Sequence, residues 1–397
     1  MTVALRHAPA LPAETAPATV RVARTEIFTS FAAAEPHWRA LERADAVMSP
    51  YQRFDFLALW QHHVGAPSSI EPLIVICFSD SGVPVMLLPL GRRGVGPLGI
   101  VRFLGGKHAN FNLPLWRRDL AQSDIGAVLS QLSGRADVLL LVNQPVAWQS
   151  LANPLGVLPH QASPSLSYSG ALAADFDALL RERTSGATRK KMRKKAETLA
   201  SFGTVRFARV DTAPESRRVL DVFFTQKSER MRSQGITNVF DKPDVRRLIE
   251  AAAIAPAPGH LPPIELYSLS VDDAIIATMA GMVAGGRFSS MFSSIVCDRF
   301  TAASPGEQLL INLVRDCCAR GLQTFDLGVG EARYKYMLCN DAEPLFDSFI
   351  ALSPAGRVLA PAARFVSALK RTVKQSSALW SLANALRRLR GRAALTR

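Results

Sequence analysis

Residues 264–270 and 274–284 form two apolar runs turning on Asp272-Asp273, and 287–296 continues them as a third. A helical pattern over 304–320 follows, closed by Gly321, and then a short apolar strand at 324–327 ends on Gly328. An antiparallel meander leading into a single strand–helix–strand unit demands a mixed sheet, so the pattern predicts an α+β fold and excludes a doubly wound one. Upstream in the same half, a helix over 187–200 stopped by Gly203, a strand over 205–210 and helices over 220–232 and 245–253 complete the expected unit.

The first half shows a similar order of elements. Strand character at 20–28 precedes helical segments around 37–46 and 54–64. Runs 72–78 and 83–90, joined by Ser79-Asp-Ser-Gly, predict a hairpin. Strands are expected at 100–104, ending on Gly105-Gly106, and at 138–142. The Pro- and Ser-rich stretch 154–169 marks a domain boundary. The expected organisation is a disordered Ala/Pro-rich leader (1–19), an N-terminal domain (20–168), a C-terminal domain (169–352) and a basic helical tail (353–397), the two domains being copies of one fold. With 397 residues, two domains are also what length predicts. The longest apolar stretches, 275–284 and 83–90, fall short of the ~20 residues of a membrane helix, and a cytoplasmic protein is expected.

The chain's charge of +14 is concentrated. Residues 361–397 hold nine bases and no acid, residues 181–195 hold eight bases and one acid, and the remainder is nearly neutral. The basic runs contain almost no aromatic residues for base stacking, which argues against nucleic acid as a partner. None of the five cysteines forms a Cys-x-x-Cys or has a histidine at zinc spacing, so no metal is expected.

Four segments are candidates for chemistry. In Thr301-Ala-Ala-Ser-Pro-Gly-Glu-Gln, Ser304 and Glu307 match a capping box with Pro305 at the first helical position. The segment either simply starts a helix or offers its amides to a phosphate. Phe325-Asp-Leu-Gly-Val-Gly-Glu-Ala-Arg-Tyr-Lys-Tyr ends a strand on glycines and presents Glu331, Arg333, Tyr334 and Lys335, either for proton transfer and oxyanion stabilisation or as an ordinary polar loop. Arg189-Lys-Lys-Met-Arg-Lys-Lys puts six bases in the first half of a helix, against its dipole, so an anionic partner and a solvated face both fit. Leu379, Leu382, Leu386 and Leu389 beside Trp380 form an apolar stripe opposite Arg387, Arg388 and Arg390, suited equally to peripheral contact with an anionic (inner) membrane and to packing back on the body.

In order and spacing, Thr188-Arg-Lys-Lys-Met-Arg-Lys-Lys, Glu229-Arg-Met-Arg-Ser-Gln-Gly, Ile275-Ile-Ala-Thr-Met, Ser304-Pro-Gly-Glu-Gln-Leu-Leu and the Phe325–Tyr336 stretch resemble the GNAT-type acyltransferases of the CelD-like (cellulose-biosynthesis acetyltransferase, BioF2-like) family. Pro50-Tyr-Gln-Arg-Phe-Asp-Phe-Leu-Ala-Leu-Trp, Leu88-Pro-Leu and Phe103-Leu-Gly-Gly extend the resemblance over residues 20–350. It implies tandem GNAT-like domains with mixed sheets and transfer of an acyl group from acetyl-CoA or another acyl-CoA to an amine or hydroxyl of a polysaccharide- or envelope-related acceptor. It would place Ser304, Pro305, Gly306, Glu307 and Gln308 at the CoA pyrophosphate, and Ala277 and Met279 beside pantetheine. Similarity to the Tyr-x-Phe-Lys stretch of Fem-type peptidyltransferases implies Lys335 as the group steadying the reacting carbonyl. Glu331 or Asp326 would be the base and Tyr334 the donor to the thiolate, while Arg189, Arg193, Arg230 and Arg333 would bind substrate. The usual GNAT phosphate loop, Gln/Arg-x-x-Gly-x-Gly/Ala, is absent. The alternatives are a Fem-like aminoacyl transferase using aminoacyl-tRNA and a non-catalytic tether of a polysaccharide synthesis complex.

Overall fold

A computed structural model describes residues 19–254, 262–376 and 379. Nearly all of the expected leader, and the tail stripe beyond Leu379, lie outside the described residues. In the N-terminal unit, β1 (Arg24–Phe28) runs into α1 (Phe31–Arg43) through Ser30, whose Oγ accepts from the Ala33 N–H at 3.3 Å. After α2 (Phe54–Trp60) come β2 (Ile70–Pro72), β3 (Ile74–Phe78), β4 (Pro84–Leu88), β5 (Leu90–Val95) and β6 (Leu98–Phe103). Then follow β7 (Leu115–Trp116), α3 (Ile125–Ser130), β8 (Val138–Pro145), the small pair β9 (Ala147–Trp148) and β10 (Leu151–Ala152), and β11 (Gln161–Ala162). Leu73 and Pro89 interrupt two longer strands, so β2/β3 and β4/β5 each pass from a four-stranded into a six-stranded sheet.

The C-terminal unit comprises β12 (Ser167–Ala171), α4 (Phe176–Arg183), α5 (Gly186–Ala200), β13 (Val205–Val210), α6 (Ala213–Ser233), α7 (Pro243–Ala253), β14 (Glu265–Val271), β15 (Ala274–Ala284), β16 (Arg287–Ile295), α8 (Pro305–Ala319), β17 (Thr324–Val329) and β18 (Asp341–Glu343). The last elements are β19 (Leu345–Ala351) and α9 (Gly356–Gln375). The C-terminal sheet has the order β13-β14-β15-β16-β17-β12-β18. Counting the interrupted strands once, the N-terminal order β1-β2/β3-β4/β5-β6-β8-β19-β11 repeats it position by position. Each copy has its parallel pair at the same place, β6 with β8 and β16 with β17. The molecule is thus a tandem α+β duplication with mixed sheets.

Strand pairing crosses the boundary drawn from the sequence. β12, which directly follows the N-terminal unit, enters the C-terminal sheet. β19, placed by the sequence in the C-terminal domain, pairs with β8 and β11. The N-terminal copy therefore receives its sixth strand from the far end of the C-terminal chain segment, a choice that local periodicity does not encode.

Side-chain alternation along β14 shows how the C-terminal sheet is covered. Leu266 packs with Val219, Leu220 and Phe223 of α6 in a core shared with the N-terminal unit, while Tyr267 and Leu269 face α8 in a separate core. α9 lays Leu359, Ala360 and Ala363 over Val138 and Phe349 of the N-terminal sheet. Among the described residues, no helix is long and apolar enough to cross a membrane.

Candidate active site

β16 and β17 pair in parallel only at Arg287–Thr324, Phe288–Phe325 and Ser289–Asp326, then diverge. At the next residue, the Ser290 carbonyl accepts hydrogen bonds from Asn110 Nδ2 (2.9 Å) and the Tyr51 hydroxyl (3.1 Å) of the N-terminal unit. Asn110 Nδ2 also donates to the Tyr51 oxygen at 2.8 Å. Across the opening Gly328 adopts φ +71°, where a β-carbon would lie 2.5 Å from Asn110 Nδ2. One unit thus inserts an amide side chain as a wedge between the parallel strands of the other.

A buried ion cluster clamps the closed end. Arg287 gives Nε to Asp326 (2.8 Å) and its two terminal nitrogens to Glu343 (3.0 and 2.8 Å), with its guanidinium 4.1 Å from the Trp148 ring centroid. Asp326, fully buried, also accepts from Ser289 Oγ at 2.5 Å and the Gly328 N–H at 3.0 Å. Burial raises its proton affinity against the pull of Arg287. Burial acts on Glu343 in the same sense, but the Arg287 fork with Ser169 and Ser167 outweighs it and holds that carboxyl below its ordinary value. Among the candidate bases, Asp326 is therefore committed to holding β16 and β17 together.

Lys335 reaches the open end. It is 4% exposed, and its Nζ donates to the carbonyls of Gly328 (2.9 Å) and Val329 (3.3 Å), which leaves one ammonium hydrogen. Burial lowers its pKa to about 8, opposed by Cys339 and Asp326. The flanking candidates are in water: Glu331 and Arg333 are exposed, and Tyr334 is about half exposed.

The helix start at 304 differs from the expected capping box. Ser304 is left-handed (φ 52°) and makes no side-chain cap, while Glu307 turns to Lys195 of α5 at 2.5 Å. The Glu307 and Gln308 amides close on the Ser304 carbonyl (3.0 and 3.2 Å), and Gln308 Nε2 donates to the Met192 carbonyl at 3.2 Å. The segment docks the basic helix onto α8, so cations stand where amides were expected. Lys190, Lys191, Arg193 and Lys194 are exposed there, whereas Arg189 is turned to the carbonyls of Thr184 and Arg181. Ala277 and Met279 are buried on β15, one strand away from the diverging pair, which the sequence could not distinguish from β16 because both runs are apolar. Arg230 sits near the end of α6, whose apolar residues pack in the core opposite α8. Tyr51 and Asn110 carried no chemical signal in the sequence. Tyr51 lies within the quoted Pro50–Trp60 stretch, and Asn110 lies four residues past Gly106.

Residues 186–336 match the acetyltransferase (GNAT) domain family. No curated protein matches the chain. Among solved structures, FemX aligns with 85% of this chain and 100% of its own at a TM-score of 0.56 and 11% identity. The C-terminal (DUF2156) domain of a putative lysylphosphatidylglycerol synthetase from Agrobacterium fabrum aligns with 85% of this chain and 97% of its own at a TM-score of 0.51 and 14% identity. At these identities the likeness is one of fold. The chain carries a GNAT acetyltransferase domain and is an acyltransferase.

Proposed function

We propose that the chain transfers a short acyl group from acyl-CoA to an amine or hydroxyl at the opening between β16 and β17. The observation that carries this reading is the parallel pair, clamped by Arg287 at one end, wedged open by Asn110 at the other, with the buried Lys335 ammonium at the rim. The diverging edge of β16 beyond Ser290 offers main-chain groups to a pantetheine arm, and the exposed cations of α5 beside α8 offer charge to its phosphates. When the acceptor attacks the thioester, a C–N or C–O bond forms and the C–S bond breaks. The acceptor's proton leaves to Glu331 directly or through water, and the thiolate takes a proton from Tyr334. Lys335, held by two carbonyls, has one N–H left for the oxyanion. A CelD-like role on an envelope or polysaccharide acceptor rests on the motif resemblance alone.

A second reading, aminoacyl transfer from aminoacyl-tRNA, draws on the exposed bases of α5 and the likeness of fold to FemX. Calorimetric titration separates the two. Micromolar binding of acetyl-CoA that Gly306→Trp abolishes supports the first reading, since a β-carbon at Gly306 already meets Ile295 at 3.0 Å. No thioester binding, with tRNA binding that falls steeply with salt, supports the second.

A further inference from the structure

Between the two units, on the face of the C-terminal sheet opposite α8, lies a cavity of about 110 Å³. Its walls are largely apolar, with Phe56 from the N-terminal unit, Val239 and Phe240 from the α6–α7 connection, Leu248 from α7, and Met291 and Phe292 from β16. Lys107, His108 and Asn110 supply its polar atoms. Asn110 is the wedge residue, so the cavity adjoins the opening where transfer is placed.

His108 is unusual in this lining. Its Nδ1 accepts from Trp60 Nε1–H at 3.0 Å. In the neutral ring the proton therefore resides on Nε2. Burial, reinforced by Lys107, lowers the ring's pKa to about 4, so neutrality is its state at physiological pH. Nε2 is buried and finds no hydrogen-bond partner among the described residues. A buried donor left without an acceptor is costly, and such atoms in folded proteins are usually answered by water or a ligand. A ligand oxygen in the cavity would satisfy it.

We propose that this cavity is the acceptor-selectivity subsite of the transfer reaction, holding an apolar chain of about four or five carbon atoms whose amide or carboxylate oxygen accepts from His108 Nε2–H. The size follows from the volume, since a cavity of about 150 Å³ accommodates benzene. The placement relative to the reaction rests on the acyltransferase reading. The subsite chemistry does not, because walls and donor are present whatever the donor substrate is. An acceptor resembling an apolar amino-acid amide fits this chemistry; the acyl group of the thioester does not, because its one oxygen is the reacting carbonyl that Lys335 takes.

The test uses the full chain and two ligand series, acetyl-, butyryl- and isovaleryl-CoA in one and glycinamide and leucinamide in the other. Affinity is read by calorimetry and the His108 ring by nitrogen-15 NMR. The expected result is a gain of about tenfold or more from glycinamide to leucinamide, with a shifted Nε2–H resonance. His108→Phe should lose that gain, and His108→Gln, which keeps a donor, should retain most of it. Val239→Trp should also abolish the gain, and at 39% exposure this position accepts a larger side chain without rebuilding the core. A gain along the thioester series alone, with the resonance unmoved, would give the apolar walls to the acyl chain and overturn the proposal. Equal affinities within both series, with the resonance unmoved, would mean that the cavity holds water only and would overturn the proposal. Leucinamide shifting His108 while no thioester binds would keep the subsite and remove acyl-CoA as donor. Acetyl-CoA binding with no chain-length effect in either series would do the reverse.

Discussion

The two parallel pairs of the duplication occupy the same place in their sheets and are built differently. In the N-terminal copy, β6 and β8 meet through Ile100–Val138 and Val101–Leu139, a wholly apolar contact. Beside it, Asp137 accepts from the Gly99 N–H at 2.7 Å and Ser353 Oγ at 2.5 Å to tie the strand start to the chain entering α9. Beyond the pairing lies a groove of about 620 Å³ shared by the sheet and α9. In the C-terminal copy, the same position holds Arg287 between two carboxylates, and the opening is wedged by a side chain of the other unit. One copy is stabilised by burial of hydrocarbon. The other keeps desolvated charges, which stability alone does not favour. Duplication lets one copy act as the brace while the other carries the polar groups.

The largest expected effect tests the clamp. Arg287→Met leaves Asp326 and Glu343 buried without their cation and should cost about 3–5 kcal/mol in denaturant unfolding, whereas Asp137→Ala at the corresponding N-terminal site should cost far less. Equal losses at Arg287 and Asp137 would erase the contrast between the copies.

Lys335→Met should lower turnover by about 100-fold with little loss of stability, because the buried ammonium is itself unfavourable. The folded-state pKa of Lys335, about 8, lies below the unfolded one. The cost of charging it is therefore fully present below pH 8, and stability rises as pH climbs from there toward the ordinary lysine range. If the cation is required, activity falls as pH rises through about 8, and Lys335→Arg should move that limb upward. A pH–rate profile with no such limb would remove Lys335 from the oxyanion role.

His108 sharpens the comparison from the acid side. Its folded pKa of about 4 lies below the ordinary histidine value of 6.5, so as pH falls across that window the unfolded chain takes up the proton first and stability is lost. His108→Phe should flatten that part of the pH–stability curve. The smallest effect belongs to Lys195–Glu307, a partly exposed pair, where Glu307→Gln should change stability by about 1 kcal/mol or less and show mainly as looser docking of α5 in hydrogen exchange.

Much of the C-terminal unit was legible because its signals are local. The meander declared itself by apolar runs around Asp272, and α8 by its pattern and the closing Gly321. The same locality explains what misled. Ser304 and Glu307 have capping-box spacing, yet Lys195, 112 residues away in sequence, claims the carboxylate. Ala277 and Met279 looked like pantetheine neighbours because β15 and β16 are equally apolar, and only the strand order shows which of them borders the opening. Asp326 read as a base because an acid at a strand end is accessible in most folds; here Arg287 and Ser289 arrive from the adjacent strand and occupy it.

By itself the sequence determined the element types, the mixed-sheet class and the placement of charge in two segments, since these depend on periodicity, turn chemistry and residue identity over a few neighbouring positions. The tertiary structure decided the return of β19 to the N-terminal sheet, the Asn110 wedge, the charge clamp and the cavity with its unanswered His108 donor. Each of these joins groups tens to hundreds of residues apart, and their energies come from desolvation and hydrogen-bond pairing, which exist only once the two copies have closed on each other.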